Sequence, residues 1–281
     1  MNPTTRPSSA APGDVEATLN YLARPVAAAV YIASVGGGEV APHEGDYVAR
    51  TVTLHNARLR AGEFTLDREG FQLVQHASTV GDFYDDEQIA RIYEDEIKAL
   101  LHAATGAARI EIFDHTRRSA SGAVRKSRRI REPSATVHND YTERSAPNRL
   151  RAHFAHAPDE AEVLLARRFA IVNVWRSIAG TVRSAPLALC DASSVAPSDL
   201  VAVERRAQDR IGELQLAVYN PKHRWYWYPA MGADEAVLIK TYDSATDGRT
   251  RFTIHSAFTD PTAPADSPPR ESMETRCFVF F

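Results

Sequence analysis

The second half of the chain is a series of short strand-like segments separated by turn signals, and this pattern constrains the fold more than any other feature. Residues rich in β-branched and aromatic side chains recur with few helical stretches between them, at 169–176, 187–190, 211–219, 236–242, 251–257 and 270–281. Spacing of this kind is typical of a double-sheet jelly roll or a barrel. We therefore predict a mainly β fold with flanking helices.

The first part of the chain has a more mixed pattern. Residues 1–14 are polar and rich in Pro and Ser, which predicts a disordered tail, and Asp14 could cap a short helix ending at Tyr21 or Leu22. Strands are predicted at 47–54 and 71–76, followed by an amphipathic helix from Asp85 to a C-capping Gly106. We expect an α+β N-terminal part, residues 15–107, within a single jelly-roll domain spanning residues 15–281.

Three further segments carry local predictions. Residues 145–149 are expected to form a loop, 158–168 a helix and 199–203 a helical turn. The segment 117–131 holds seven basic residues, and we expect a mobile loop beside the active site that attracts an anionic substrate or co-substrate. A nucleic-acid patch is disfavoured because interleaved aromatic residues are absent from the segment and the net charge is −3.

Composition excludes several classes of protein. The two cysteines, Cys190 and Cys277, cannot form a disulfide framework or a CxxC zinc site, and they fit a reducing compartment. The N-terminus does not have the pattern of a secretory signal, and no apolar run approaches the length of a membrane span. We expect a cytoplasmic protein that binds neither nucleic acid nor membranes. The oligomeric state stays open, with a homodimer among the alternatives.

A pattern of metal ligands lies in VHNDYT (137–142) and FTIH (252–255). Side chains at i and i+2 of a strand point to the same face, so His138 and Asp140 can reach one metal ion together. His255 would supply the third ligand from a neighbouring strand. This is the sequence form of the 2-His-1-carboxylate triad, which holds Fe(II) and leaves positions open for a co-substrate and O2. The alternative interpretation is a polar pair at the end of a strand.

Oxygen activation by such a centre needs an electron donor, and the usual donor is 2-oxoglutarate. Its distal carboxylate needs a cation, for which arginine offers a bidentate partner. Arg270 and Arg276 share strand parity with Ser272, and Arg270-x-Ser272 matches the Arg-x-Ser pair of many 2-oxoglutarate oxygenases. Lys240 is a third cation that could serve. For Arg276 a structural ion pair with Glu274 is preferred.

The chain resembles the AsaB/CmcJ-like hydroxylase/desaturase family of non-haem iron oxygenases. The resemblance runs from about Val52 to the C-terminus and includes TLDREGF (65–71), DFYDD (82–86), FDHTR (113–117), VHNDYT (137–142), NVWR (173–176), PLALCD (186–191), KTYDS (240–244), FTIHSAFTDP (252–261) and PPRESMETR (268–276). It implies a jelly-roll (double-stranded β-helix) core, iron ligation by His138, Asp140 and His255, and 2-oxoglutarate as co-substrate. It also implies oxidation of a small molecule in natural-product biosynthesis.

Other residues near these motifs are weighed as substrate contacts. Tyr141 and Thr142 directly follow the carboxylate ligand and are expected to touch the substrate or support the ligands. His115 and Arg117 are assigned a structural or substrate-proximal role. Two rival functions remain, a non-catalytic jelly-roll binding protein or partner subunit and a zinc hydrolase that uses the same triad.

Overall fold

The computed structural model describes residues 13–24, 29–34, 36–37, 44–207 and 211–281. Of the predicted tail, residues 1–12 lie outside the described part of the chain. Within them the strands are β1 (Val15–Leu22), β2 (Val30–Ile32), β3 (Tyr47–Asn56), β4 (Phe71–Gln75), β5 (Arg109–Ser119), β6 (His138–Asn139), β7 (Phe169–Ser177), β8 (Leu187–Cys190), β9 (Leu200–Arg206), β10 (Ile211–Ala217), β11 (Trp225–Trp227), β12 (Glu235–Asp243), β13 (His255–Ala257) and β14 (Glu271–Phe280).

The helices are fewer and lie outside the sheets. They are α1 (Asp86–Gln88), which continues through a π-helical turn (Ile89–Tyr93) into α2 (Glu94–Thr105), then α3 (Gly122–Arg128), α4 (Ser145–His153) and α5 (Pro158–Leu165). Short 3-10 turns occupy Ala57–Arg60, Ala192–Ser194 and Pro197–Asp199. The predicted boundaries of the long helix are confirmed, since Asp85 caps its start and Gly106 adopts a left-handed conformation at its end.

Two sheets form the body of the protein. One has nine strands in the order β1-β3-β11-β8-β13-β6-β10-β9-β2, and the other has five in the order β4-β12-β7-β14-β5. Most neighbours are antiparallel, whereas β11 with β3 and β2 with β9 are parallel pairs. The predicted mainly β fold with a jelly-roll core is confirmed.

The five-stranded sheet has different chemistry on its two faces. One face packs against α2 through an apolar cluster that includes Met273 and Cys277 of β14 and Ile97 of the helix. The opposite face meets the nine-stranded sheet, where Trp175 and Ile239 pack against Tyr226. Because strand residues alternate between faces, Arg270, Ser272, Glu274 and Arg276 share the parity of this inward face.

The helix predicted after Asp14 is wrong, because residues 15–22 form strand β1. Their side chains alternate between buried and exposed, and β1 pairs along its whole length with β3. Apolar residues at every second position, Val15, Ala17 and Leu19, carry this signal in the sequence. Asp14 instead accepts hydrogen bonds from the backbone N–H of Asn56, at 2.7 Å, and from His55.

Three other local predictions are also corrected. Residues 145–149 open helix α4 rather than a loop, because Ala146 and Leu150, four positions apart, bury one face of the helix. The predicted helical turn at 199–203 is mostly strand β9, which pairs with β10 from Leu200 to Arg206. The basic segment 117–131 is the end of β5 followed by α3, and Ser121 caps that helix.

Candidate functional site

The three predicted metal ligands meet at one point in the nine-stranded sheet. His138 on β6 and His255 on β13 are register partners, and Asp140 follows β6 directly. One ligand atom from each residue lies within 4.8 Å of the other two. The imidazole centroids are 4.5 Å apart, and His138 Nε2 is 3.5 Å from Asp140 Oδ1. Sequence spacing therefore identified a cluster able to bind a metal ion.

Backbone carbonyls orient both imidazoles. His138 Nδ1 donates to the carbonyl of Thr136 at 2.7 Å, and His255 Nδ1 donates to that of Thr253 at 3.0 Å. Nδ1 thus carries the proton in each ring, which leaves Nε2 with a free lone pair. Burial, reinforced by the neighbouring His138, lowers the pKa of His255. A neutral imidazole is the form that binds a metal ion.

Asp140 is held by one of its two carboxylate oxygens. Oδ2 accepts hydrogen bonds from Asn173 Nδ2 at 2.8 Å and from Arg276 Nε at 2.9 Å, while Oδ1 faces His138. Burial opposes ionisation of Asp140, but the positive charge of the Arg276 guanidinium acts against it, and the pKa of the carboxyl lies well below its usual range. The carboxylate is therefore charged and oriented, with Oδ1 available to a metal ion.

Arg276 is engaged on several sides by groups of the protein itself. Besides Asp140, its guanidinium donates to Asp114 Oδ2 at 2.5 Å and to Thr116 Oγ1 at 2.9 Å, and it contacts the Glu274 carboxylate. The preferred ion pair with Glu274 is present. These contacts make Arg276 a poor partner for a further carboxylate and give it a role in positioning Asp140.

Ser272 lies farther along the same face of β14, Arg270 immediately precedes the strand, and both residues are almost fully buried. Arg270 Nη1 donates to the carbonyl of Ala185 at 2.5 Å. Within the described part of the chain, however, Arg270 Nε and Ser272 Oγ have no hydrogen-bond partner. Burial, with a contribution from the nearby Arg118 charge, lowers the pKa of Arg270 to about 9. Unsatisfied buried donors beside a buried cation are the features of a site for an anion.

Lys240, the third cation considered from the sequence, already forms ion pairs with two carboxylates of the protein. Its Nζ donates to Asp67 Oδ1 at 2.5 Å and to Asp243 Oδ2 at 3.0 Å. The Asp243 side chain has no solvent exposure, so the pair with Lys240 compensates a fully buried charge. Lys240 is thereby assigned to the structure of β12 rather than to a co-substrate.

The four residues considered as substrate contacts fall in two places. Tyr141 lines a cavity together with Asp140 and Arg276. The Thr142 hydroxyl accepts hydrogen bonds from the N–H groups of Arg144 and Ser145 at 3.2 and 3.0 Å, and so caps α4.

His115 and Arg117 lie on the helix side of the five-stranded sheet. His115 contacts Thr275 and Glu94, and Arg117 donates to the carbonyl of Phe83 and to Asp86. The structure does not bring either residue to the triad. Their contacts support the structural role considered for them and not the substrate-proximal one.

Sequence reasoning missed several supporting residues. Asn173 is a buried polar residue that interrupts the apolar run from Phe169 to Trp175 in β7, and this contrast is visible in the sequence. Arg118, register partner of Ser272 across β5 and β14, was hidden in the basic segment. Gly70, in the predicted TLDREGF motif, has φ of +86° and accepts a hydrogen bond from Thr253 Oγ1 at 3.2 Å, two residues before His255.

Comparison with known proteins agrees with this site. A family model described as an oxidoreductase/YMDC permease-like domain matches residues 19–280. The hydroxylase/desaturase CTB9 of Cercospora beticola is 35% identical over 268 residues, covering 88% of this chain and 81% of that protein. The hydroxylase/desaturase efuI of Hormonema carpetanum is 31% identical and covers 95% of each chain. No helix among the described residues is long and apolar enough to cross a membrane.

A solved structure shows the same architecture. The iron and alpha-ketoglutarate-dependent endoperoxidase NvfI superposes with a TM-score of 0.81 at 26% identity, over 95% of this chain and 98% of that one. The corresponding sequence match, the Fe(II)/2-oxoglutarate-dependent dioxygenase nvfI of Aspergillus novofumigatus, is 30% identical and covers 84% of each chain. The chain belongs to the hydroxylase/desaturase family of Fe(II)/2-oxoglutarate-dependent oxygenases.

Proposed function

We propose that His138, Asp140 and His255 hold the Fe(II) of this oxygenase. The observation that carries the proposal is the convergence of their ligand atoms within 4.8 Å, with the remaining atom of each residue already hydrogen bonded. Two imidazole nitrogens and one carboxylate oxygen are the donor set of a non-haem Fe(II) centre with open positions. The residues present therefore fit the metal.

We further propose that Arg270 and Ser272 bind the distal carboxylate of 2-oxoglutarate. A carboxylate there would accept hydrogen bonds from Arg270 Nε and Ser272 Oγ, two buried atoms that have no partner among the described residues. It would also relieve the repulsion between Arg270 and Arg118. A planar guanidinium and a hydroxyl suit a carboxylate better than a point charge does.

The residues around the metal position have separate roles in this proposed reaction. When bound, Fe(II) and 2-oxoglutarate supply the oxidising power of the reaction, with O2 consumed and succinate and CO2 released. Asn173 and Arg276 keep Asp140 ionised and aimed. The carbonyls of Thr136 and Thr253 engage Nδ1 of the two histidines, which leaves Nε2 of each ring as the atom available to the metal ion. Burial of both histidines limits access of water to the centre.

The substrate we propose is a small natural product. The relatives bear the names hydroxylase/desaturase and, in the solved structure, endoperoxidase, so one scaffold serves different oxidative outcomes. Substrate geometry then selects among hydroxylation, desaturation, cyclisation and endoperoxidation. We also propose that residues 15–281 form one domain, since the N-terminal strands join the same two sheets as the later ones. The cytoplasmic location and a homodimer stay predictions.

The test is anaerobic visible absorption of the purified apoprotein on adding Fe(II) and then 2-oxoglutarate. We expect a weak charge-transfer band in the wild type and none in His138→Ala, whereas the exposed His156→Ala should behave as the wild type. Arg270→Gln should form the band only at roughly tenfold to hundredfold higher 2-oxoglutarate, the loss expected for a charge-assisted hydrogen bond.

Other outcomes separate the rival functions. A wild-type protein that forms no band but retains zinc tightly would favour the hydrolase, and one that binds no metal would favour a binding module. An Arg270→Gln variant with unchanged 2-oxoglutarate affinity would refute the assignment of the carboxylate site alone, while leaving the metal ligands intact.

A further inference from the structure

A cavity of about 930 Å³ opens beside the triad, lined by residues of β5 and β14, the end of β9, the start of β10 and helix α4. Its lining residues include Asp140 and Arg276, so it is the space from which a substrate can approach the metal position. Its volume lies in the range of sites for small organic molecules. The side chains that line it therefore bear on the class of substrate.

The charges that line this cavity do not balance. Five arginines face four carboxylates, and each carboxylate already has a partner. The four pairs are Asp114 with Arg276, Asp140 with Arg276, Glu204 with Arg206, and Glu213 with Arg144. Binding of Fe(II) and of 2-oxoglutarate adds charges of opposite sign and equal size, so the excess positive charge persists in the loaded enzyme.

Among the arginines that line the cavity, Arg131 is the one that contributes most directly to this excess positive charge. Its side chain is half-buried in the cavity wall, and no carboxylate among the described residues forms an ion pair with it. Burial, and then the positive charges of Arg118, Arg205 and Arg276, lower its pKa, and the smaller attraction of the Asp114 carboxylate does not offset them. A cation held among other cations in a partly desolvated wall is stabilised when an anion enters.

The rest of the lining indicates what carries that anion. Phe113, Ile211 and Leu214 present apolar surface to the same space, and Ile211 is 71% exposed. The cavity thus combines apolar side chains, which a ring could cover, with Arg131, a cation for which the described residues supply no ion-pair partner.

We propose that Arg131 binds a carboxylate, or an equally acidic group, on an apolar ring substrate and so selects acids over their neutral analogues. This inference rests on the proposed function, because it takes the cavity as the path of the substrate to the iron. Arg131 acts here as a specificity-determining residue that holds the substrate by its anionic end while the apolar body lies toward Asp140.

The test uses 2-naphthoate and the neutral 2-naphthamide as probes. Binding of each is measured by anaerobic equilibrium dialysis to the iron-loaded enzyme at saturating 2-oxoglutarate, so that the co-substrate site is filled. We expect naphthoate to bind the wild type at least roughly tenfold more tightly than the amide, as one charge-assisted hydrogen bond predicts. Arg131→Gln should lose this preference, and Arg131→Lys should keep most of it.

The matched control is Arg128→Gln, which removes an exposed arginine from the same segment but outside the cavity, and it should keep the preference. Equal binding of acid and amide to the wild type, or a preference that survives in Arg131→Gln, would overturn the inference. So would weaker 2-oxoglutarate binding in Arg131→Gln with the naphthoate preference intact, since Arg131 would then serve the co-substrate. The absorption band of the same samples reports the proposed function separately.

Discussion

Replacing Arg276 by methionine tests the assignment of this residue to positioning rather than to co-substrate binding. The change removes the guanidinium from Asp140 at 2.9 Å and from Asp114 at 2.5 Å, and from its contact with Glu274. The side chains of Arg276, Asp140 and Glu274 are 12%, 11% and 8% exposed, so these charges would be left buried without a partner. Breaking such a pair costs about 3–5 kcal/mol of unfolding free energy.

The share of Asp114 in this loss is smaller. Its side chain is 40% exposed, and solvent screens a pair of that kind. We therefore expect the loss in Arg276→Met at pH 7 to come mainly from Asp140 and Glu274. Iron affinity should fall as well, because Asp140 would lose one of the two donors to its Oδ2 and the charge that keeps it ionised.

The loss should depend on pH with a definite sign. Arg276 lowers the pKa of both Asp140 and Asp114 in the folded protein. A lowered folded-state pKa contributes stability that is fully present above the unfolded value, about 4, and is lost as the pH falls through the folded value. The difference in unfolding free energy between wild type and Arg276→Met should therefore be constant near neutrality and shrink below about pH 4.

Urea unfolding followed by tryptophan fluorescence from pH 7 to pH 3 measures this difference. Arg276→Lys, which keeps the charge without the planar fork, should lose less stability than Arg276→Met. Arg151→Met is the control for a surface pair, since Arg151 and Glu162 are both largely exposed, and its effect should be small. A loss below about 1 kcal/mol in Arg276→Met, or a difference that does not shrink in acid, would refute the reasoning.

Three further changes test neighbouring features. Lys240→Met should lower the free energy of urea unfolding by about 3 kcal/mol, because the fully buried Asp243 carboxylate loses one of its partners. The affinity for 2-oxoglutarate should stay within about twofold of the wild type. A tenfold weaker affinity would contradict the structural assignment of Lys240. Gly70→Ala should lower the unfolding free energy by about 2 kcal/mol or more and weaken Fe(II) binding, because the new Cβ would lie 2.0 Å from Thr253 Oγ1. The control is Gly62→Ala, at a similar φ but with open space around it. This change should affect stability less and leave Fe(II) binding unchanged. Thr142→Ala should cost about 1 kcal/mol through the lost cap of α4, and Thr142→Ser should recover it.

Elements with a strong internal period were predictable from the sequence, whereas those defined by their partners were not. The long amphipathic helix was predictable because its buried face requires apolar residues with a period of 3.6, and strand β7 because a strand buried on both faces requires a continuous apolar run. Strand β9 has little burial of its own and exists through its pairing with β10. The strand β1 was missed because a capping signal at Asp14 outweighed the alternation that followed it.

The candidate site divides in the same way. His138 and Asp140 were predictable because their spacing is local, and His255 because the motif around it was specific. Asn173 and Arg118 reach the site through sheet register, which a single sequence does not contain. Arg270 and Arg276 share parity and differ in their partners, so the sequence favoured an ion pair with Glu274 for Arg276 but excluded neither arginine as the anion-binding residue; contacts across the sheet distinguish them.

Strand β14 holds the metal ligands and the proposed 2-oxoglutarate site at a fixed distance from each other. Its inward face carries Arg276 beside Asp140 at one position and Ser272 four residues away, a separation of about 13 Å along the strand. Its outward face carries Met273 and Cys277 against α2. A slip of one residue would send these apolar side chains into the centre and bury the charged ones under the helix. The apolar packing of the outward face therefore fixes the register that sets the metal ligands and the proposed 2-oxoglutarate site at a constant distance.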